Sequence, residues 1–329
     1  MHPFDDEHTL ELVSFLREAA RLARRVRGDL AVMGLTKGDL SPVTVADFAI
    51  QALAGQRLGE AFPEIPLVGE EDSAALAAPD SAALLEQVTR YAGEFAGGAT
   101  AETVCAWIDR GAGEPGDRFW TLDPIDGTKG YLRGGQYAVA LALVKRGEVL
   151  LGGLACPELG LDGRPGSGML AVARRGGGAF MAPLDAAHPE WTRMRVSACA
   201  APRAARLMRS AESGHTDPGQ TEAIVRELGI EAPSVPMDSQ AKYAALAMGG
   251  GELLLRLLSP DRPDYKEKIW DHAAGSLVLE EAGGRVTDLK GRPFDFTRGR
   301  CLEGNTGLLA SNGLLHEAAL RAVARVTGG

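Results

Sequence analysis

Apolar and polar positions predict an N-terminal half that opens with helices and continues into strands. From about residue 9 to 27, apolar positions recur at helical spacing opposite a basic face, which predicts an amphipathic helix. A second helix is predicted beyond a glycine-bearing loop, followed by a short strand at 67–68. Another helix is predicted over 81–95, and the apolar runs 137–144 and 149–155 predict a β-hairpin.

The second half alternates predicted helices and strands, which indicates α/β layers with helices on a mixed sheet. The predicted helices are 216–228, 239–248, 271–282 and a last one from residue 314; the predicted strands are 169–173, 233–237, 252–258, 285–287 and 308–310. With 329 residues the chain is expected to form two domains, 1–156 and 157–329, with the boundary near Cys156-Pro157.

Composition and charge narrow the classes of function. Hydrophobic residues make up 45% and charged residues 24%, as in a globular enzyme. The 35 basic and 44 acidic residues give a formal charge of −9, which disfavours binding to nucleic acid or to an anionic membrane. No run approaches the ~20 apolar residues of a membrane span, and the first residues do not resemble a signal peptide. The four cysteines lack zinc-ligand or redox spacing, so we expect reduced thiols in a cytoplasmic protein.

The stretch 119–130 carries the most specific chemical pattern. Its apolar run predicts a buried strand that ends at Asp123-Pro124, because proline lacks an N–H. Asp123 and Asp126 then flank a tight turn, and the amides of Gly127 and Thr128 can hold an anion at a helix start. Two carboxylates would repel that anion unless cations lay between them, so the pattern predicts a Mg²⁺ site that holds a phosphate. The alternative is an ordinary Asx-turn with solvated carboxylates.

Three further acids have structural alternatives when each is considered alone. Asp47 and Thr44 have the spacing of a capping box, so Asp47 can be a helix cap. Glu70 is the first of three adjacent acids, 70–72, which follow Gly69 and can be a solvated loop. Asp271 lies near a predicted helix start and can be an N-cap. Their joint occurrence with the central pattern favours a function.

Together these patterns resemble a known superfamily over nearly the whole chain. The motifs Gly69-Glu70-Glu71, Trp120 to Thr128 and Trp270 to Gly275 resemble the inositol monophosphatase superfamily in that order. Within it, the chain is most similar to the 3'(2'),5'-bisphosphate nucleotidase family. The residues that carry this second resemblance are Ser41 to Thr44, Asp126 to Gly134, Met237 to Tyr243 and Tyr265 to Gly275.

The resemblance implies a fold, an activity and a cofactor. The implied fold is a layered α-β-α-β-α sandwich of the inositol monophosphatase and fructose-1,6-bisphosphatase type. The implied reaction is hydrolysis of 3'-phosphoadenosine 5'-phosphate to AMP and phosphate, with two or three Mg²⁺ ions, and it is typically inhibited by lithium. The expected partner is a small nucleotide bisphosphate, with no nucleic acid and no membrane. Monomer and homodimer remain alternatives.

The same resemblance implies roles for individual residues. The implied metal ligands are Glu70, Asp123, Asp126, Asp271 and the backbone carbonyl of Ile125. Asp47 would lie by the attacking water, directly or through a further metal ion, and Thr128 would pair with it through its hydroxyl. The amides of Gly127 and Thr128 would hold the scissile phosphate. The implied contacts to the nucleoside and the second phosphate are His215, Asp238, Ser239, Lys242 and Arg256.

Other interpretations remain for these residues and for the whole protein. Lys242 and Arg256 can be surface charges, and His215 can be an ordinary loop histidine. The same chemistry can serve inositol phosphates or another sugar phosphate. A non-catalytic phosphate-binding module is a third hypothesis, although every acid of the expected set is present.

Overall fold

Five layers of helices and sheets make up the computed structural model, which describes residues 5–32, 42–78, 81–210, 218–258, 262 and 264–328. A helical layer, a seven-stranded sheet, a central helical layer, a five-stranded sheet and an outer helical layer follow one another. The predicted α-β-α-β-α fold class is therefore confirmed. No helix in these described ranges is long and apolar enough to cross a membrane.

The first helical layer contains α1 (Glu7–Val32) and α2 (Pro42–Ala61). Both predicted N-terminal helices are confirmed, and α1 is longer than its apolar pattern indicated. The capping-box prediction is wrong, because α2 begins at Pro42 and Asp47 lies within the helix. Beside them lie α3 (Ala82–Ala96), as predicted, and α4 (Ala101–Asp109), which the sequence did not predict.

The first sheet has its strands in chain order. They are β1 (Leu67–Gly69), β2 (Arg118–Asp126), β3 (Ala138–Lys145), β4 (Glu148–Cys156), β5 (Met169–Arg174), β6 (Gly178–Pro183) and β7 (Thr192–Arg193). Among these described strands only the β1–β2 pair is parallel. The predicted hairpin is confirmed as β3 and β4. Because the sheet continues through β7, a domain boundary at 156/157 would separate β4 from its partner β5; the division into domains stays a prediction.

Strand β2 continues beyond the point where the sequence predicted its end. We expected it to stop at Asp123-Pro124, but it extends to Asp126. The pairing with β3 shifts between Asp123, opposite Ala140, and Asp126, opposite Ala138. The missing N–H of Pro124 is tolerated at this irregularity, and β1 has already ended. The prediction of a strand end was therefore wrong by three residues.

The second sheet has the strand order β11-β12-β10-β8-β9. Its strands are β8 (Leu207–Arg209), β9 (Val235–Pro236), β10 (Leu253–Arg256), β11 (Arg285–Thr287) and β12 (Leu308–Ser311). The central helices are α7 (Ala241–Ala247) and α8 (Ala273–Glu281), and the outer helices are α6 (Pro218–Leu228) and α9 (His316–Thr327). Between β2 and β3 lies the five-residue helix α5 (Thr128–Leu132). The N-cap residue of α8 is His272, so the alternative of Asp271 as N-cap is wrong.

Alternating side chains on the strands supply the apolar cores of the described part of the chain. One face of the first sheet, with Trp120 and Leu122, packs against α1 and α2. Its other face, with Phe119, packs against α7, α8 and the near face of the second sheet. The far face of the second sheet packs against α6 and α9. The central helices are thus buried between two sheets, which fixes the chain segments that precede them.

Candidate active site

Most of the residues implicated by sequence line one cavity of about 630 Å³. The cavity lies where strands β1 and β2 end and where the segments before α7 and α8 begin. The implicated residues that line it are Glu70, Asp123, Ile125, Asp126, Gly127, Thr128, Asp238, Ser239, Lys242, Arg256 and Asp271. Their roles stay predictions. His215 lies outside the described residues.

Parallel pairing of β1 and β2 places two of the acids at one sheet edge. Gly69 pairs with Leu122, so Glu70 and Asp123 each follow a paired position on neighbouring strands. Parallel strands end at the same edge of a sheet, and groups at their carboxyl ends lie close together. Acids about 50 residues apart in sequence therefore meet because of strand register.

A tight turn joins the end of β2 to α5. Gly127 has φ 89°, in the left-handed region that favours glycine. A Cβ added there would lie 2.8 Å from the Cβ of Ser239, so the two halves of the site approach too closely for a side chain. One oxygen of Asp126, Oδ2, accepts a hydrogen bond from the backbone N–H of Gln240 at 2.6 Å. The second half of the chain thus orients Asp126.

The carboxylates disfavour one another's ionisation. Burial raises the pKa of Glu70 to about 7, with further contributions from Glu71 and Asp126. Burial also raises the pKa of Asp271 to about 7, with Asp126 adding to the effect of burial. The pKa of Asp123 lies well above its usual value because of burial and then Glu70, Asp126 and other acids. A divalent cation would relieve this repulsion.

The donor set fits a hard divalent cation. Asp123 is 3% exposed, and its Oδ1 has no hydrogen-bond partner among the described residues. A buried, unpaired carboxylate oxygen is costly unless a cation coordinates it. Carboxylate oxygens with a backbone carbonyl are the ligands that Mg²⁺ prefers. The chemistry of the donor set therefore fits a magnesium site, while among the described residues no three of the acids Glu70, Asp123, Asp126 and Asp271 have carboxylate oxygens within 4.8 Å of one another.

Asp47 is buried and is not among the residues that line the cavity. Burial raises its pKa well above the usual value, followed by the charges of Glu71 and Glu70. Asp47 in turn raises the pKa of Asp123, so the two carboxyl groups influence each other's ionisation. The pairing of Asp47 with the hydroxyl of Thr128, which the resemblance implies, stays a prediction.

Two cations, Lys242 and Arg256, line the same cavity as the acids and oppose the rise in the pKa of Asp126. The Lys242 ammonium donates to Oγ of Ser210 at 2.9 Å, and burial lowers its pKa, opposed by Asp126. The Arg256 guanidinium carbon lies 5.7 Å from the ring centroid of Tyr265. Burial lowers the pKa of Arg256, but the charges of Glu267 and other acids outweigh burial, so its pKa is raised. Both cations line the cavity and are not ordinary surface charges.

A buried network that sequence reasoning missed holds Arg256 in place. Glu267 Oε2 lies 3.0 Å from Nη1 of Arg256 and 3.1 Å from Nε2 of His272. Nδ1 of His272 lies 2.9 Å from the hydroxyl of Tyr243. Among the described residues, one group of three side chains has potential metal-ligand atoms within 4.8 Å of one another: Glu267, Asp271 and His272. Because Glu267 and His272 already bind each other, we interpret this trio as a support for the site.

Gln240 is a second residue that sequence reasoning missed. Its side-chain Nε2 donates to the carbonyl of Trp270 at 3.0 Å, and its Oε1 accepts from the N–H of Gly275 at 3.0 Å. Its backbone binds Asp126, as described above. Gln240 lies in the motif Met237 to Tyr243, which carries the resemblance. Its position between the segment with Asp126 and the segment with Asp271 could not be predicted from sequence spacing alone.

Asp238 lines the cavity as part of an ion pair. Its Oδ2 accepts a hydrogen bond from Nη2 of Arg133 at 2.8 Å, which joins the loop before α7 to the end of α5. Ser239 beside it has φ 65°, a strained conformation for a residue with a side chain. Its Oγ accepts from the N–H of Ala241 at 3.1 Å. The loop is thus held against the turn between β2 and α5.

The family model of the inositol monophosphatase family matches residues 6–327. The chain belongs to the inositol monophosphatase family. A 3'(2'),5'-bisphosphate nucleotidase of Schizosaccharomyces pombe is 39% identical over 98% of this chain and 96% of its own length. A 3'(2'),5'-bisphosphate nucleotidase of Oryza sativa is 41% identical over 93% of this chain and 90% of its own length.

A solved structure shows that the fold is shared as well. The Thermotoga maritima IMPase superposes with a TM-score of 0.63 over 98% of this chain and 99% of that chain, at 19% identity. At that identity the likeness concerns the fold alone. The predicted membership of the inositol monophosphatase superfamily is therefore confirmed by sequence, and the predicted architecture by the shared fold.

Proposed function

We propose that this protein removes the 3'-phosphate of 3'-phosphoadenosine 5'-phosphate and releases AMP and phosphate. The observation that carries the proposal is that a single cavity is lined both by the acids of the predicted metal site and by cations, among them Lys242 and Arg256. A bisphosphate substrate needs both, because one phosphate reacts among cation-bound acids while the other is held by Lys242 and Arg256. The names of the relatives at 39% and 41% identity support the same substrate class.

Mg²⁺ would be held among the acids that line the cavity, and two or three ions are proposed. The proposed ligands are the side chains of Glu70, Asp123, Asp126 and Asp271 and the backbone carbonyl of Ile125. When bound, Mg²⁺ neutralises phosphate charge and lowers the pKa of a coordinated water. The raised pKa values of Glu70 and Asp271 without metal indicate that a bound cation would favour the ionised form of both groups.

The chain's own groups would place the reacting atoms. The N–H groups of Gly127 and Thr128, at the turn into α5, would donate to the scissile phosphate. Asp47, which does not line the cavity, would act on the attacking water through a further metal ion, and the hydroxyl of Thr128 would pair with it. Water oxygen would then attack phosphorus while the bond from phosphorus to the 3'-oxygen breaks, in line with the attack. One proton of the water would end on the 3'-oxygen of AMP, and the remaining hydroxyl would leave with the phosphate. Catalysis of this kind depends mainly on position and charge neutralisation.

Lys242 and Arg256 would select the substrate by binding its 5'-phosphate. A guanidinium has five N–H donors, so Arg256 can bind Glu267 and a phosphate together. Such charge-assisted contacts are strong and directional. Asp238 and Ser239 line the same part of the cavity, and His215 is proposed there from the resemblance alone.

The apolar part of the cavity favours a nucleotide over an inositol phosphate. The lining also includes Leu207, Leu254, Leu308 and Tyr265. A nucleobase offers a flat apolar surface to such a wall, whereas inositol presents hydroxyl groups on every ring carbon. The volume also lies within the ~300–1,000 Å³ of typical small-molecule sites. The predicted cytoplasmic location and the choice between monomer and homodimer stay predictions.

A substrate comparison tests the proposal. Phosphate release is measured from 3'-phosphoadenosine 5'-phosphate and from inositol 1-phosphate, each with Mg²⁺ and with a chelator. We expect the nucleotide to be preferred by a wide margin and both rates to vanish with the chelator. Preference for inositol 1-phosphate would favour the rival phosphatase. No release from any phosphate ester would favour a non-catalytic phosphate-binding module.

A further inference from the structure

The side chain of Arg300 binds two backbone segments that lie far from it in sequence. Its Nη2 donates a hydrogen bond to the carbonyl of Gly69. Its Nη1 donates to the carbonyls of Gly111, at 3.3 Å, and Gly113, at 3.0 Å. One side chain therefore holds three carbonyls, and one of these belongs to the residue directly before Glu70.

The same guanidinium contacts the segment that carries Asp271. Its central carbon lies 4.9 Å from the ring centroid of Trp270, the residue directly before Asp271. The backbone carbonyl of Arg300 also accepts from the N–H of Ile269 at 3.2 Å. Arg300 thus lies between two proposed metal-ligand segments that are about 200 residues apart in the chain.

Glu70 depends on such contacts because it lies beyond the sheet. Pairing of β1 with β2 ends at Gly69, opposite Leu122, so no strand partner fixes the next residue. On the other side of Glu70, the N–H of Glu71 donates to Oε1 of Gln51 at 2.9 Å, and Nε2 of Gln51 donates to the carbonyl of Glu71. The backbone is therefore held immediately before and immediately after Glu70.

We propose that Arg300 is a positioning residue that sets the distance between Glu70 and Asp271 and thereby the affinity for divalent cations. This inference rests on the proposed function, since it assigns both acids to the metal site. The planar guanidinium fork can bind several carbonyls and stack on an indole at once, which a lysine ammonium cannot do. Partners behind metal ligands commonly control affinity although they never touch the ion.

The test measures Mn²⁺ binding without substrate, by the electron paramagnetic resonance signal of free Mn²⁺. The variants are Arg300→Met, which keeps an unbranched apolar side chain and removes the guanidinium, and Arg300→Lys, which keeps the charge. The control is Arg298→Met, whose guanidinium pairs with Asp295 on the exposed surface. We expect Arg300→Met to weaken Mn²⁺ binding about 10- to 100-fold, as for other partners of metal ligands. Arg300→Lys should lie between, and Arg298→Met should match the wild type.

A kinetic measurement separates positioning from a general loss of structure. In Arg300→Met the Mg²⁺ concentration for half-maximal activity should rise, while KM for the nucleotide at saturating Mg²⁺ stays unchanged. Wild-type Mn²⁺ affinity in Arg300→Met, or in Arg300→Lys if the first variant does not fold, would overturn the inference. Failure of the wild type itself to bind Mn²⁺ would instead reject the metal site of the proposed function.

Discussion

Nη1 of Arg256 lies 3.0 Å from Oε2 of Glu267, and the same oxygen lies 3.1 Å from Nε2 of His272. Glu267 is 3% exposed, so this acid is buried between the two side chains. A buried charge needs such partners, and removal of one leaves the other uncompensated. Arg256 is therefore held in one orientation, with its remaining donors available to a ligand in the cavity.

Arg256→Ala should impair use of the bisphosphate nucleotide far more than use of a nucleotide with a 3'-phosphate alone. Hydrogen bonds to charged groups contribute about 1.5–3 kcal/mol, so we expect kcat/KM for the bisphosphate to fall about ten- to hundredfold. Steady-state kinetics on both substrates measures the difference. Arg203→Ala, at an exposed arginine paired with Glu231, is the control and should change neither. Equal losses on both substrates would dismiss a role for Arg256 in substrate selection.

Asp123→Asn should raise the thermal stability of the metal-free protein. The substitution removes a carboxyl group whose ionisation is disfavoured by burial and then by Glu70 and Asp126, and it preserves the shape of the side chain. Asp288→Asn is the matched control. Asp288 is also buried, but it accepts hydrogen bonds from the backbone of Lys290 and from Arg292, and its pKa is lowered despite burial.

Thermal unfolding in the presence of a chelator tests this pair of variants. The melting temperature should rise for Asp123→Asn and fall for Asp288→Asn. A fall in both would mean that partners stabilise the Asp123 carboxylate in the metal-free protein, which contradicts a site strained by its own negative charge.

The metal-free protein should lose stability as the pH rises through 7. Glu70 and Asp271 have pKa values of about 7 when folded, above ordinary values of 4.5 and 3.8. Between about pH 5 and 7 the folded state binds more protons than the unfolded state, so stability decreases with increasing pH. The contribution of Glu70 and Asp271 to the free energy of unfolding is present in full below their pKa values in the unfolded state. It is lost above their pKa values in the folded state.

Mg²⁺ should reverse this trend, because protons and metal ions compete for the same oxygens. Melting temperatures at several pH values, with Mg²⁺ and with a chelator, measure both effects. The stabilisation by Mg²⁺ should be larger at pH 8 than at pH 6. A melting temperature that rises between pH 5 and 8 in the presence of the chelator would contradict the assignment of raised pKa values.

Gln240→Leu should lower both stability and activity. It removes the side-chain hydrogen bonds to Trp270 and Gly275 and leaves those buried backbone groups unpaired, which costs about 1–3 kcal/mol. The matched control is Gln56→Leu, whose side chain donates to the carbonyl of Ala96 at 3.0 Å. Denaturant unfolding and Mg²⁺ titrations of activity compare the two. Only the Gln240 variant should need more Mg²⁺; an unchanged requirement would limit Gln240 to the stability of the fold.

Periodic elements could be predicted from the sequence, and irregular ones could not. Helix α1 and the β3–β4 hairpin have strong apolar patterns, which burial against a sheet requires. The extension of β2 to Asp126 was missed because Pro124 normally ends a strand, and only the shifted pairing with β3 accommodates it. The capping roles of Asp47 and Asp271 were wrong because a local pattern cannot show where a helix actually begins.

The cavity-lining acids could be predicted because they lie in specific local motifs. Their convergence depends on strand register and on two central helices, and the sequence alone does not provide these. Glu267 contacts Arg256, more than 10 residues away, and Arg300 contacts Gly113, more than 180 residues away. No spacing pattern in the sequence therefore marks either residue. Supporting residues of this kind are found only once the chain is folded.

The most direct test of the metal site is Mg²⁺-dependent phosphate release from 3'-phosphoadenosine 5'-phosphate by the wild type and by Asp123→Asn. Circular dichroism first establishes that the variant is folded. We expect AMP and phosphate in equal amounts from the wild type only when Mg²⁺ is present, and release close to background from the variant. Near-native turnover by folded Asp123→Asn would contradict a reaction that depends on cations bound by these acids.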